Sequence, residues 1–483
     1  MSFSGADRSV HIAPMQKLNT DICVIGAGSA GLSVAAGASQ MGARVVLIEK
    51  GEMGGDCLNT GCVPSKALLT AGKAAQHGRD AGRFGVDFEE PVIDFEAVHD
   101  HVHDVIAQIA PHDSVERFEG LGVTVIQEAA RFIGADALMA GDTQVKAKRF
   151  VIATGSRASV PPIPGIKDTP YLTNETIFTL TQRPAHLIII GGGPIGCEMA
   201  QAHRRLGCRV TLLERDVIMP KDDPELVEII RRRLIKEGID LRENASVEQI
   251  SGADSAVDVT VDGETVSGSH LLVAAGRQAS VDGLGLEEAR VDYDAKGIKV
   301  DARLRTSNKK IFAIGDVAGG YQFTHQAGYH AGIVVQNILF RLPAKSDDST
   351  LPWVTYTDPE LAHVGLNAEQ LQEQDPKGTV VSVPYEGNDR AKAERETEGM
   401  VKVMIGGDGR IKGASIVGKD AGNLIQPWVL AMSQKMKIRA MTGFRAPYPT
   451  LGELNKGAAS EYFKPRLFSE TTRRIVRFLL RLP

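Results

Sequence analysis

The sequence predicts an α/β fold with two Rossmann-like units and a separate C-terminal α+β domain, on three observations. The β-branched run Thr20 to Ile25 leads into Gly26-Ala27-Gly28-Ser29-Ala30-Gly31, and small, helix-compatible residues follow through Met41. A second apolar run, Arg44 to Ile48, then stops at Glu49. The same order recurs as Leu187 to Ile190, the turn Gly191-Gly192-Gly193-Pro194-Ile195-Gly196, a helical stretch through Leu206, and the strand Arg209 to Leu213 ending at Glu214. From first glycine to acid the separation is 23 positions in both copies. Third, the character changes after Trp353. Thr357-Asp358-Pro359-Glu360-Leu361-Ala362 opens a segment in which strands (Met400 to Ile405, Ile411 to Val417) alternate with helices.

Strand, glycine turn, helix, strand and acid is the order a dinucleotide site needs. The glycines bring backbone N–H groups to a pyrophosphate at a helix N-terminus, and the acid accepts from a ribose hydroxyl. A bare GxGxxG could be a chance turn, and the flanking strands and helix are what give it weight. Two equal units imply two dinucleotides. An acid at Glu214 repels a 2′-phosphate and favours NADH over NADPH, with the adjacent Arg215 pulling the other way. The strands Phe150 to Ser156, Leu271 to Arg277 and Ile311 to Asp316 each end in a small-residue turn or an acid. These turns read as places where the chain crosses between the two units.

A third motif is Gly54-Gly55-Asp56-Cys57-Leu58-Asn59-Thr60-Gly61-Cys62-Val63-Pro64-Ser65-Lys66, with two cysteines five positions apart. A helix starting near Val63 places Pro64 in its first turn, where a missing N–H costs nothing. Cys62 then lies at the positive end of the helix dipole, which favours a thiolate. Glycines on both sides let the backbone pass close to a flat partner. The arrangement suits a redox dithiol. Taken alone it is also compatible with inert buried cysteines or a structural disulfide.

The chain has 483 residues, 43% hydrophobic and 24% charged, as in an ordinary soluble globular protein of two to four domains. Five cysteines (Cys23, Cys57, Cys62, Cys197, Cys208) are too few for a disulfide scaffold and fit a reducing cytosol. Met1 to Leu18 lacks the apolar core of a signal peptide, and no 18-residue apolar run occurs. The expected location is cytoplasmic. A net charge of −5 gives no reason to expect nucleic acid. Lys464 to Pro483 holds six basic residues and one acid, so this tail is +5 and the remainder −10.

With these motifs the chain resembles the flavoprotein pyridine nucleotide-disulfide oxidoreductases, the group holding dihydrolipoamide dehydrogenase, glutathione reductase and mercuric reductase. The likeness runs from about Asp21 to Phe463, and the CxxxxC block is its most specific element. It implies FAD held by Gly26, Gly28, Gly31, Glu49, Lys50, Gly55, Lys66, Ala130, Thr154, Gly155, Asp316 and Thr324. It implies NAD(P)H, with NADH favoured, held by Gly191, Gly193, Gly196, Glu214, Val247 and Gly276. Cys57 and Cys62 become the redox disulfide, with Cys62 facing the flavin and Cys57 exchanging with substrate. Lys66 and Glu198 pair near the reactive edge of the flavin. The C-terminal domain becomes the interface of a homodimer that completes the partner's site.

The resemblance also implies domain boundaries: an N-terminal tail over 1–19, FAD-binding segments over 20–155 and 278–348, an NAD(P)-binding domain over 156–277, an interface domain over 349–463 and a basic tail over 464–483. The implied activity passes electrons between NAD(P)H, FAD and the disulfide to a thiol, a disulfide or a related small molecule, in the manner of dihydrolipoyl dehydrogenase. The alternatives are a mercuric reductase-like metal-ion reductase, a membrane-surface diaphorase or quinone reductase, and a redox sensor.

Two departures bear on the substrate. Dithiol-specific members carry histidine-proline and then a glutamate near the C-terminus, the histidine acting as base. Here Pro447-Tyr448-Pro449-Thr450-Leu451-Gly452-Glu453 keeps Glu453 in register and has Tyr448 in place of the histidine. A phenol is a poor base at neutral pH, which argues against fast lipoamide or glutathione chemistry. Tyrosine there is similar to mercuric reductase, yet this chain has no cysteine after Cys208 to deliver Hg2+. Pro194 stands where several relatives place a tyrosine that covers the flavin, which leaves that pocket more open to oxygen or small oxidants.

Other features point to structure or surface. His99, His101 and His103 cannot all share one helix face, so no metal is expected. Cys23, Cys197 and Cys208 sit in apolar surroundings and read as core. Asp389, Arg390 and Lys392 read as a charged surface loop. At helical spacing, Arg473, Arg474, Arg477 and Arg481 fall opposite Ile475, Phe478, Leu479 and Leu482. Such a helix lies on an anionic membrane surface, here the inner face, or docks on a partner or on its own dimer.

Overall fold

The computed structural model describes residues 16–253 and 256–483, and most of the expected N-terminal tail lies outside them. Its contacts divide the chain into two units. Of the described residues, the first comprises 16–59, 108–157 and 278–346, and the second 60–107, 158–253, 256–277 and 347–483. The helical segment 60–107 therefore clusters with the second unit and not with the first glycine turn.

In the first unit Gln16–Ile25 is the central strand of a mainly parallel sheet in the order Val123–Ile126, Val45–Ile48, Gln16–Ile25, Thr143–Ile152, Ala137–Ala140, Ala130–Gly134. Ile311–Ala313 adds to the sheet beside Thr143–Ile152. The strand begins four residues before the run expected from Thr20, because Gln16 to Thr20 pair in register with Thr143 to Ala147. Alternate side chains enter opposite layers, as a period of two requires. Ile22 and Val24 pack with Leu32, Ala35 and Val334. Cys23 and Ile25 pack with Phe132, Phe150 and Ile298. A parallel sheet covered on both faces reads as continuous apolar strands, which is the pattern of Val45–Ile48.

The second unit contains the sheet Asp240–Arg242, Arg209–Leu213, His186–Ile190, His270–Val273, parallel throughout. Leu187 and Ile189 face Met199, Leu226 and Ile230, while Ile188 and Ile190 face Ile250 and Val259. Its C-terminal part is an antiparallel five-stranded sheet in the order Pro352–Thr355, Glu360–Gly365, Ile411–Gly418, Met400–Ile405, Thr379–Pro384. That sheet buries Val401, Val403 and Ile416 against Trp428, whose Nε1 donates to Asn455 Oδ1 at 2.7 Å.

Two helices of this unit matter most for chemistry. Cys62–Asp80 starts one residue before the position expected and has Gly61 as its N-cap. Pro194–Arg205 has a proline in its first turn, a residue tolerated there because no N–H is needed. They approach closely at Gly72, where a Cβ would lie 3.3 Å from Ala202 Cα. Any larger residue would push the helices apart.

Cys23, Cys197 and Cys208 are buried, and desolvation raises all three thiols, Cys208 to about 12. Buried among apolar groups, they are inert. The stretch Asp389–Ala393, expected as a loop, is a short helix capped by Asn388, whose side chain accepts from Ala391 N. The C-terminal tail forms two helices, Lys464–Leu467 and Glu470–Leu479, in place of one. Ser469 breaks it by capping the second through Thr472 N. Arg481 and Leu482 lie past the helix end.

Candidate functional site

The two glycine turns repeat atom for atom. Gly26 has φ +102°, and a Cβ there would lie 2.4 Å from Ala153 O; one on Gly31 would lie 1.8 Å from Gly26 O. In the second copy Gly191 has φ +111° with Ala274 O at 2.5 Å, and Gly196 would meet Gly191 O at 1.8 Å. Only glycine closes either turn. The acids repeat too. Glu49 accepts from Ala27 N at 2.6 Å and Gly51 N at 2.8 Å. Glu214 accepts from Gly192 N at 2.5 Å and Asp216 N at 3.0 Å. Each carboxylate is held against its turn with lone pairs left for a ribose hydroxyl.

The rest of the first site lies in the same unit. Gly28 is the N-cap of Ser29–Gln40 and pairs with Gly54, and a Cβ on Gly55 would lie 2.8 Å from Gly28 Cα. Thr154 Oγ1 donates to Ser280 O at 2.8 Å, and Ser156 Oγ donates to Asp316 Oδ2 at 2.5 Å. Thr324 opens the helix Thr324–Leu339, Ala130 opens the strand Ala130–Gly134, and Lys50 is exposed beside Glu49. Gly155, with φ +67°, has open space where a side chain would stand. In the second unit Gly193 and Gly276 face open space likewise, and Val247 begins the strand Val247–Ala253. Crowded glycines on the protein side and open ones on the other make a backbone-lined cradle. The residues fit a dinucleotide in each unit.

The reactive constellation is built on the Cys62–Asp80 helix. Cys62 is its first residue and is exposed, while Cys57 is half-buried in the short helix Gly55–Asn59. One turn into the longer helix, Lys66 Nζ donates to Glu198 Oε2 at 2.7 Å. Glu198 is buried, and its Oε1 accepts from Tyr356 N at 2.9 Å. The Lys66 ammonium also stands 4.4 Å from the Tyr356 ring centroid, a cation–π contact. Burial raises the Tyr356 phenol, and Lys66 partly opposes that.

Tyr356 was not among the residues expected from sequence. The only local signal was its place directly before Thr357-Asp358-Pro359. What fixes it is long-range: Gln201 Nε2 donates to Asp358 O at 2.9 Å, and Asp358 N donates back to Gln201 Oε1 at 2.7 Å. A small cavity beside the pair is lined by Ser65, Asn174, Phe178, Ile195, Glu198 and Met199.

Tyr448 and Glu453 take separate partners. Tyr448 is 72% exposed, and its hydroxyl donates to Asp389 Oδ2 at 3.3 Å. Glu453 opens the helix Glu453–Glu461, and its Oε2 accepts from Thr450 N at 3.2 Å. Asp389, expected as plain surface, is thus the hydrogen-bond partner of a candidate site residue. Next to it, Arg390, Glu394, Asp420, Leu424, Thr450 and Leu451 line a mixed cleft. His99 and His103 stack at 4.0 Å, and no group that could hold a metal occurs among the described residues.

A family profile described as pyridine nucleotide-disulphide oxidoreductase matches residues 20–331, and its dimerisation-domain counterpart matches 351–459. The chain belongs to that family. Its members are FAD-dependent and use NAD(P)H, and this chain is a flavoprotein oxidoreductase of the same kind with a redox disulfide. The dimerisation domain supports a homodimer.

Among relatives, a mercuric reductase of Lysinibacillus sphaericus is 34% identical over 94% of this chain and 84% of its own length. A dihydrolipoyl dehydrogenase of Geobacillus stearothermophilus is 32% identical over 92% and 96%. Among solved structures, the HOCl-induced flavoprotein disulfide reductase RclA from Escherichia coli, as its Cu(II) complex, has a TM-score of 0.83 at 28% identity, covering 91% of this chain and 99% of that one. Among the described residues no helix is long and apolar enough to cross a membrane.

Proposed function

We propose that this oxidoreductase uses NADH and passes electrons through Cys57 and Cys62 to a small thiol-seeking oxidant, a soft metal ion in preference to a disulfide. The observation that carries the reading is Tyr448. A dithiol–disulfide exchange needs a group that carries a proton near neutral pH. Here a tyrosine, hydrogen-bonded to Asp389, stands where dithiol-specific members place the histidine. Reduction of a divalent soft ion has no such need. Two thiolates bind such an ion tightly, and its reduction takes the two electrons that NADH brings. The mercuric reductase relatives and the Cu(II) complex of the structural neighbour support this choice.

Bound FAD would supply the two-electron carrier between nicotinamide and disulfide. The chain's own residues have distinct tasks. The turn at Gly26, Gly28 and Gly31 and the Glu49 carboxylate hold FAD, with Asp316, Thr154 and Gly155 beside them. Gly191, Gly193, Gly196 and Glu214 hold the nicotinamide dinucleotide, Glu214 disfavouring a 2′-phosphate. Cys62, at the N-terminus of its helix, lies at the positive end of the helix dipole, which favours a thiolate. Cys57 meets the substrate. Glu198 keeps the Lys66 ammonium in place, and Lys66 presents a positive charge one turn from Cys62.

A second reading, dihydrolipoyl dehydrogenase-like exchange, is favoured by Glu453 keeping its register. Steady-state NADH oxidation with thiol-buffered Hg2+, lipoamide and oxidised glutathione separates the two. We expect the metal-dependent rate to be highest and to vanish in Cys62→Ser. Lipoamide as the best substrate would overturn the proposal.

A further inference from the structure

The C-terminal tail lies beyond residue 459, where the match to the dimerisation domain ends. Neither of its helices, Lys464–Leu467 and Glu470–Leu479, has a buried residue. Around the second helix, Arg473, Arg474 and Arg477 occupy one side and Ile475, Phe478 and Leu479 the other, as a 3.6-residue period requires. Phe478 is 62% exposed and Leu480 79%. So many large apolar groups in water, rimmed by arginines, mark a surface that is covered in use.

We propose that this tail is a membrane-surface anchor. It lies in the plane of an anionic bilayer, its apolar side at the acyl boundary and its arginines among the phosphates. Ten residues make a helix of about 15 Å, half the thickness of a hydrocarbon core, so it can lie on a bilayer and cannot span one. Charge and apolarity together select the occupant. An acidic protein would match the arginines and leave Ile475, Phe478 and Leu479 wet. A second copy of the helix, packed apolar side to apolar side, would leave the arginines without a counter-charge, and one such face falls short of the roughly 800 Å² per partner of a stable interface. An anionic lipid surface satisfies both sides. The anchor is independent of which oxidant the enzyme reduces.

The test is sedimentation of the FAD-loaded, full-length protein with vesicles of phosphatidylcholine alone or mixed with phosphatidylglycerol. Binding to the anionic vesicles is expected, weakening as salt rises. The triple variant Arg473→Glu, Arg474→Glu, Arg477→Glu should bind at least about a hundredfold more weakly, at roughly fivefold for each positive charge lost. Phe478→Asp should also bind more weakly. NADH oxidation should be unchanged in both variants. Equal pelleting of wild type and variants, or equal binding to neutral vesicles, would overturn the proposal. So would a truncation after residue 467 that turns the dimer into a monomer, because the tail would then be part of the subunit interface.

Discussion

Lys66 Nζ stands 2.7 Å from Glu198 Oε2, joining residues 132 positions apart. The carboxylate's other oxygen takes the N–H of Tyr356, so one buried acid ties the cysteine helix to the segment that opens the C-terminal domain. Replacing its charge should therefore be felt in catalysis more than in folding. Glu198→Gln keeps an acceptor and the side-chain volume but loses the ion pair, a charge-assisted bond worth about 1.5–3 kcal/mol. NADH turnover should fall roughly 10- to 100-fold with circular dichroism unchanged. An unaltered rate would remove the pair from the mechanism.

Tyr448→His tests the substrate assignment directly. Imidazole at that position restores a proton carrier near neutral pH, which in general acid–base catalysis contributes at least about a hundredfold. Lipoamide reduction should rise by about that factor while the metal-dependent rate changes little. A variant still inert to lipoamide would place the block in the shape of the site and not in its base.

The proposed preference for NADH rests on Glu214, which holds Gly192 N and Asp216 N. Glu214→Ala removes the negative charge facing the ribose. The ratio of kcat/KM for NADH to that for NADPH should fall by roughly 10- to 100-fold, the size of one charged hydrogen bond. If wild type already prefers NADPH, the assignment fails before the variant is made.

Acid should destabilise the second unit through buried imidazoles. Desolvation lowers His203 from the usual value near 6.5 to about 4. His186, His270 and His363 are lowered for the same first cause. For a base lowered in the folded state, the unfolded chain binds the extra proton. Stability is thus intact above pH 6.5 and is lost as pH falls toward 4. His203 alone should cost about 2 kcal/mol between pH 7 and pH 5. Urea unfolding at both values should show a smaller loss in His203→Gln than in wild type, and equal losses would contradict the shift.

Much of this was written in local signals. Each glycine turn lies between a short apolar strand and a small-residue helix, and each acid follows at the same offset, so backbone geometry alone demands those residues there. Pro64 announced the start of the cysteine helix within one position. The tail's amphipathic period was equally legible, although Ser469, a good N-cap, divides it. Asp389 is exposed, as expected, but lies in a helix and not a loop, because a charged short stretch looks the same as either until its cap is known.

The sequence by itself determined the two dinucleotide units and the spacing of the cysteine pair, because each depends on residues within about two dozen positions. Only the tertiary structure decided that Glu198 is shared by Lys66 and Tyr356, that Tyr448 rests on Asp389, and that the tail's apolar side has no cover among the described residues. Those pairings join distant parts of the chain, and packing selects them. Gly72 lets the cysteine helix reach Ala202, and Gln201 grips Asp358. No local pattern encodes which of many compatible partners such a contact will bring together.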